Sequence, residues 1–226
     1  MRAKNYAASG EAAAQETNVI DGKNLLSYIL VVLGLFLIPG PAVLLTLARS
    51  IGSGRRVGVA TGLGIATGDS VHSLMATLGL SAVLATSALA FSVVKYAGAL
   101  YLIYLGVRAF LAKAESLHLP AALPIGAAQA YRQGILSETL NPKTALFFLA
   151  FLPQFVHPEN GAAIPQFAVL GAIFVMMSAV YTSLLAVGAG YVGRWLTRHS
   201  GIGRWQTKII GTVYVGLGVR LAFERR

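Results

Sequence analysis

Apolar runs of roughly 20 residues recur from one end of this chain to the other, separated by clusters of arginine and lysine. Wound as a helix at 1.5 Å per residue, a run of that length spans the ~30 Å hydrocarbon core of a bilayer. Only 12% of the 226 residues are charged, about half the share of an ordinary soluble domain, and the mean hydropathy is +0.68. The sequence therefore reads as an all-α polytopic membrane protein. The formal net charge of +10 does not indicate a nucleic-acid partner, because the basic residues sit between apolar runs and not along one soluble face. The chain has no cysteine, which removes structural disulfides and thiolate metal sites.

Six spans are expected, with five as the alternative, at about 25–47, 57–80, 91–111, 134–155, 166–191 and 205–223, within one transporter domain over 23–226. The last is the weakest: Ile209 to Phe223 gives only about 22 Å of helix, so Trp205 to Lys208 is added as an interfacial turn. Residues 1–22 are polar and small and do not resemble a cleavable signal peptide, so they read as a flexible tail. Arg49, Arg55 and Arg56 follow the first run; Arg108, Lys113 and Arg132 surround the loop after the third; Arg194, Arg198, Arg204 and Lys208 follow the fifth. The loops after the second and fourth offer only Lys95. The positive-inside rule then puts the odd-numbered loops in the cytoplasm and both termini outside.

The order Gly98-x-x-Tyr101 then Leu105-Gly106-Val107-Arg108 returns as Gly211-x-x-Tyr214 then Leu217-Gly218-Val219-Arg220, roughly 112 residues later with one gap. A weaker echo sets Pro39-Gly40-Pro41 in the first run against Asn141-Pro142-Lys143 in the fourth. Two halves of three helices each insert in opposite directions, the inverted-repeat plan of many secondary transporters. Chance similarity among glycine-rich membrane helices is the alternative.

Proline within a membrane helix frees a backbone carbonyl that lipid cannot satisfy. Pro39, Gly40, Pro41, Asn141, Pro142 and Lys143 are therefore candidates to line a substrate cavity, although simple kinks would also account for them. Asp69 stands deep in the second run, where a carboxylate costs about 2.5–3.5 kcal/mol on insertion scales. It falls on one small, polar helical face with Gly58, Gly62, His72, Ser73 and Ala76. Such an acid can exchange a proton or pair with a cation; a structural ion pair with Lys143 is the plainer role. His72 makes an Asp-x-x-His pair, but His118, His157 and His199 lie outside the spans, so polar packing is favoured over a metal site. Gly58, Gly62, Gly64 and Gly68 form paired GxxxG spacings suited to close helix packing. Glu138 reads as an interfacial charge near the start of the fourth helix, and Tyr101, Tyr104, Tyr181 and Tyr214 as substrate contacts or aromatic packing. No hydrolase triad, phosphate loop or cofactor motif is legible, so the chain is not expected to be an enzyme or to hold a cofactor.

These residues resemble the lysine exporter and homoserine/threonine resistance (LysE/RhtB) family of bacterial amino-acid exporters over about Leu25 to Phe223. The resemblance rests on Pro39-Gly40-Pro41, the glycines leading to Asp69 and His72, Gly79-Leu80, and Lys95 through Gly98 with Tyr101 and Tyr104 to Gly106. Its most specific block is Asn141-Pro142-Lys143 running into Phe147, Phe148, Phe151, Pro153, Gln154 and Phe155. It implies a multi-pass protein of the bacterial inner membrane that exports amino acids or derivatives such as homoserine and its lactones, coupled to protons. Ser137-Glu138-Thr139 and the polar tail depart from the family pattern. Expected partners are the transported solute, protons and lipid, with no nucleic acid; a homo-oligomer is compatible with such a bundle. Divalent-cation export and a non-transporting membrane scaffold are the rival readings, with an intramembrane enzyme behind them.

Overall fold

The computed structural model describes residues 20–37, 40–82, 88–111, 123–157 and 160–198, together with 208, 211, 212, 215, 216, 219 and 223. The tail over 1–19, Pro39 and most of the expected sixth segment lie outside the described residues. Everything regular among the described residues is helical. Helix α1 (Gly22–Leu37) leads to α2 (Pro41–Ser53), with their axes bent by 57°. Helix α3 (Arg55–Met75) runs on into a π-helical turn, Ala76–Leu80. Then come α4 (Ala88–Leu111), α5 (Ala127–Thr139) and α6 (Pro142–Leu146), the last followed by a π turn and a 3₁₀ turn ending at Phe155. Helix α7 (Ala163–Arg198) closes the main body.

Of the described helices, one stretch of α7, Ala163–Ala189, is by itself long and apolar enough to cross a bilayer, and α1 with α2 makes a second if the bent pair is a single span. The surface supports the same reading. Leu26, Leu30, Leu33 and Leu37 form an exposed ridge on α1, and Met176, Val180, Leu184, Val187 and Tyr191 form one on α7. Leaving a large apolar side chain in water forgoes roughly 1.5–3 kcal/mol, so nine of them would rival the ~5–15 kcal/mol of a whole fold's stability. Hydrocarbon is the solvent that suits these ridges.

Helix α3 lies at the centre, packed chiefly on α5, α7 and α2, and the spaced glycines are the reason it fits there. A Cβ at Gly64 would lie 2.1 Å from the Tyr131 carbonyl oxygen, and one at Gly134 would lie 2.4 Å from that of Thr61. The backbones of α3 and α5 thus touch directly, as small-residue interfaces permit. Gly58 abuts Ser50 on α2, Gly62 abuts Thr182 on α7, and Gly68 abuts Glu138 on α5. Helices α2 and α3 are joined through the single residue Gly54, whose φ of +90° favours glycine. Arg49 ties this end down by donating to the Leu123 carbonyl and to Gln133, each at 2.8 Å.

The other half of the molecule packs through aromatic side chains. Tyr28, Phe147, Phe148, Phe151, Phe167 and Phe174 form a fully buried cluster, and Tyr28 donates from its hydroxyl to the Leu170 carbonyl at 2.9 Å. Buried Thr46, Ser50 and Thr61 return their hydroxyls to carbonyls four residues back in their own helices, which satisfies them without water.

Gly64→Ala is expected to destabilise the detergent-solubilised protein by about 1–3 kcal/mol through overpacking against a backbone carbonyl. Gly79→Ala, where no atom lies within 4 Å of an added Cβ, serves as the silent control. Thermal unfolding followed by monodisperse recovery measures both, and equal losses would remove the direct backbone contact from the account.

Candidate functional site

Two helix breaks meet in the middle of this packing. The first separates α1 from α2 at Gly40, which is extended (φ −129°, ψ −175°) and precedes Pro41 at the first helical position. The second separates α5 from α6 at Asn141, also extended, with Pro142 at the first position. Proline suits a first turn because its missing N–H would have no partner there. Asn141 caps α6 by accepting the Lys143 amide N–H on Oδ1 at 3.0 Å.

Lys143 joins the two breaks. Its ammonium donates to the Leu35 carbonyl at 2.9 Å, and its aliphatic stem runs against Gly40, where an added Cβ would lie 3.5 Å from Cδ. In a continuous helix the Leu35 carbonyl would take the N–H of residue 39. Residue 39 is proline, which has none. Lys143 supplies the donor that proline withholds.

Between the breaks lies a cavity of about 40 Å³, walled by α3 and α7 as well. That is space for a few water molecules, at ~10–15 Å³ of such volume each. Its polar lining is Asp69, Glu138, Asn141, Lys143, Thr144 and Ser178, and its apolar lining includes Leu35, Phe36, Ile65, Phe174 and Tyr181; Phe36 stacks on Tyr181 at 5.3 Å and meets Phe174 edge-on at 5.2 Å. Asp69 is 1% exposed. Its side chain neighbours those of Ser178 and Glu138, and its Oδ2 has no hydrogen-bond partner among the described residues. Glu138, 2% exposed, receives the Asn141 side-chain amide on both carboxylate oxygens at 3.1 Å and the Thr144 hydroxyl on one. The ammonium of Lys143 is attracted first to Glu138 and then to Asp69.

The structure thus brings Gly40, Asp69, Asn141 and Lys143 to one cavity. Pro41 and Pro142 are exposed and do not line it. His72 stands one layer back, with Nε2 2.9 Å from the Glu138 backbone carbonyl and its ring stacked on Phe148 at 6.0 Å. Tyr181 is in the cavity wall, Tyr101 and Tyr104 face each other elsewhere at 5.7 Å, and Tyr214 lies outside the described residues. Glu138 requires a correction. It is neither interfacial nor near a helix start, because α5 begins at Ala127 and puts Glu138 at its buried end. The available signal was its spacing of three residues before Asn141, in a stretch otherwise poor in charge. Ser178, Phe36 and Phe174 carried no comparable mark.

A helical chain with apolar outer ridges and a cavity bearing buried charged groups between two interrupted helices has the construction of a membrane translocator. The chain belongs to the LysE type translocator family, whose model matches residues 33–225. It is 36% identical over 203 residues to an uncharacterized membrane protein of Pseudomonas aeruginosa, covering 87% of this chain and 93% of that protein. An uncharacterized membrane protein of Bacillus subtilis is 32% identical over 206 residues, 87% of this chain and 97% of its own. A leucine efflux protein of an Enterobacter species is 29% identical over 202 residues, 88% and 95% respectively. No solved structure matches the chain.

Lys143→Met removes the donor from a buried carbonyl and the positive charge from beside two acids. Breaking a buried pair from one side costs about 3–5 kcal/mol, so this variant is expected to lose stability on that scale, measured by thermal unfolding in detergent. Adding Glu138→Gln to it should restore part of the loss. A double variant no more stable than the single one would show that charge compensation is not what Lys143 provides.

Proposed function

We propose that this protein exports amino acids or close derivatives across the bacterial inner membrane by proton-coupled alternating access. The observation that carries the reading is Asp69: a buried carboxyl with one oxygen unpartnered among the described residues, sharing with Lys143 a cavity between two broken helices of a family translocator. An amino acid presents an ammonium and a carboxylate a few ångströms apart. The ammonium suits the open side of Asp69, the carboxylate suits Lys143, and an apolar side chain suits Phe36 and Phe174. The names of relatives that are leucine efflux proteins support a substrate with this head group.

In this reading the chain spans the membrane six times as two inverted three-helix halves over 23–226, behind a flexible tail, with odd-numbered loops in the cytoplasm. The glycine seam of α2, α3 and α5 closes the cavity on the side of Arg49, Arg55 and Arg56; the Tyr28 and Phe167 cluster closes the other. Substrate entering from the cytoplasm displaces the Lys143 ammonium from the Leu35 carbonyl, which frees the first break to change its angle. Asp69 releases a proton inward and takes one up from outside during the return. Coupling in this way converts the proton gradient into outward flux without a nucleotide site.

The test is efflux from liposomes containing the purified full chain, loaded in turn with each amino acid and its carboxyl-blocked amide, with and without an imposed pH gradient. At least one solute should leave faster than from empty liposomes, and an outside-acid gradient should accelerate it. Asp69→Asn, once shown to be folded, should lose the acceleration. Undiminished gradient-driven efflux in that variant would remove Asp69 from the coupling, and no solute flux from the parent protein would reject the exporter reading.

A further inference from the structure

The second break poses the same hydrogen-bond problem as the first. In a continuous helix the Glu138 carbonyl would accept the N–H of residue 142. Residue 142 is proline, which has none to give. The Asn141 N–H reaches that oxygen at 2.9 Å, which serves one of its two lone pairs. Nε2 of His72, on α3, approaches the same oxygen at 2.9 Å. A carbonyl oxygen can only accept, so Nε2 carries a proton and donates it.

The imidazole bridges the break. Its nitrogen holds the last turn of α5, and its ring stacks on Phe148 at 6.0 Å, in the π turn that follows α6. Two further residues of α3 meet the same glutamate. Gly68 admits its stem, since an added Cβ would lie 2.7 Å from that of Glu138, and the Asp69 side chain neighbours its carboxyl. One helix thus contacts Glu138 at the stem, the carboxyl and the backbone carbonyl. Asn141 and Thr144 in turn donate to the Glu138 carboxylate, and Lys143 stands between them in the chain. The second break is therefore registered on α3 by a ring that does not itself line the cavity.

We propose that His72 is a positioning residue for export: by donating Nε2–H to the Glu138 carbonyl it holds the second break against α3, and so sets where Glu138, Asn141 and Lys143 stand in the cavity. The role rests on the exporter reading above and extends it to a side chain that touches no substrate. Packing alone would need only the ring, whereas positioning needs the donor. Two substitutions separate these. His72→Phe keeps a ring over Phe148 and removes the donor. His72→Gln gives up the ring and offers an amide N–H about as far from Cβ as Nε2.

The first measurement needs no substrate. In the full chain, isotopically labelled at its histidine ring nitrogens and reconstituted in lipid, the magnetic-resonance signals lost on substitution belong to His72. They should show Nε2 protonated; a bare Nε2 overturns the proposal. The second measurement is leucine counterflow in liposomes, with the fastest amino acid of the efflux screen in its place if leucine does not exchange. A merely structural loss lowers the maximal rate and leaves the half-saturating concentration alone. His72→Phe should raise that concentration by about tenfold, the scale of a buried acceptor losing a donor, and His72→Gln should bring it most of the way back. Where the phenylalanine variant does not fold, near-parental half-saturation with glutamine is the expected result, and the same loss there overturns the role. A folded His72→Phe with unchanged half-saturation, or glutamine no better than phenylalanine, also overturns it while leaving export standing. A parent protein that moves no amino acid overturns the exporter reading and the positioning role with it.

Discussion

Hydrocarbon offers no hydrogen-bond partners, so a proline within a membrane helix leaves a carbonyl that the protein must satisfy for itself. Here the Leu35 carbonyl is satisfied by the ammonium of Lys143 from the other broken helix. The rest of the site follows from that bond. It requires the two breaks to adjoin, which puts Gly40 against the lysine stem. It also brings a positive charge to the centre of the molecule, and that charge makes two buried acids tolerable beside it. The Lys143 charge offsets one of the two acids, Asp69 and Glu138, each about 1–2% exposed.

The packing around the cavity is of two chemical kinds. Toward the arginines, α3 and α5 meet backbone to backbone through Gly64 and Gly134, a contact with no side chains to rearrange. Elsewhere large rings pack together, with Phe147 stacked on Phe151 at 5.5 Å and Phe148 edge-on to Phe174 at 4.8 Å.

Much of this was legible in the sequence because membrane solvent makes few errors affordable. A lone carboxylate at Asp69 and paired proline breaks are costly in hydrocarbon, so their presence pointed to a shared cavity, and Gly40, Asp69, Asn141 and Lys143 do meet. The glycine spacing on α3 likewise announced close packing. The sequence misplaces Glu138 because the fourth apolar run begins at Gly134, while the helix starts at Ala127 in a stretch that is polar by composition. Apolar periodicity locates what faces lipid; it is silent about a half-helix whose surroundings are other helices. Ser178 and Phe174 were invisible for a related reason, since their position depends on how α7 rotates against α3, which no local pattern encodes. The described residues include only part of the 205–223 segment, among them Gly211, packed against the Gly106 carbonyl on α4.

The junction at Gly54 carries a mechanical consequence. Joined by one residue, α2 and α3 have almost no slack between them, and Ser50 is wedged against Gly58 just beyond the turn. The pair is in effect one stiff piece, with the first break at one end and Asp69 partway along its second helix. A displacement of α2 would carry the acid with it, so the break and the buried charge are mechanically joined.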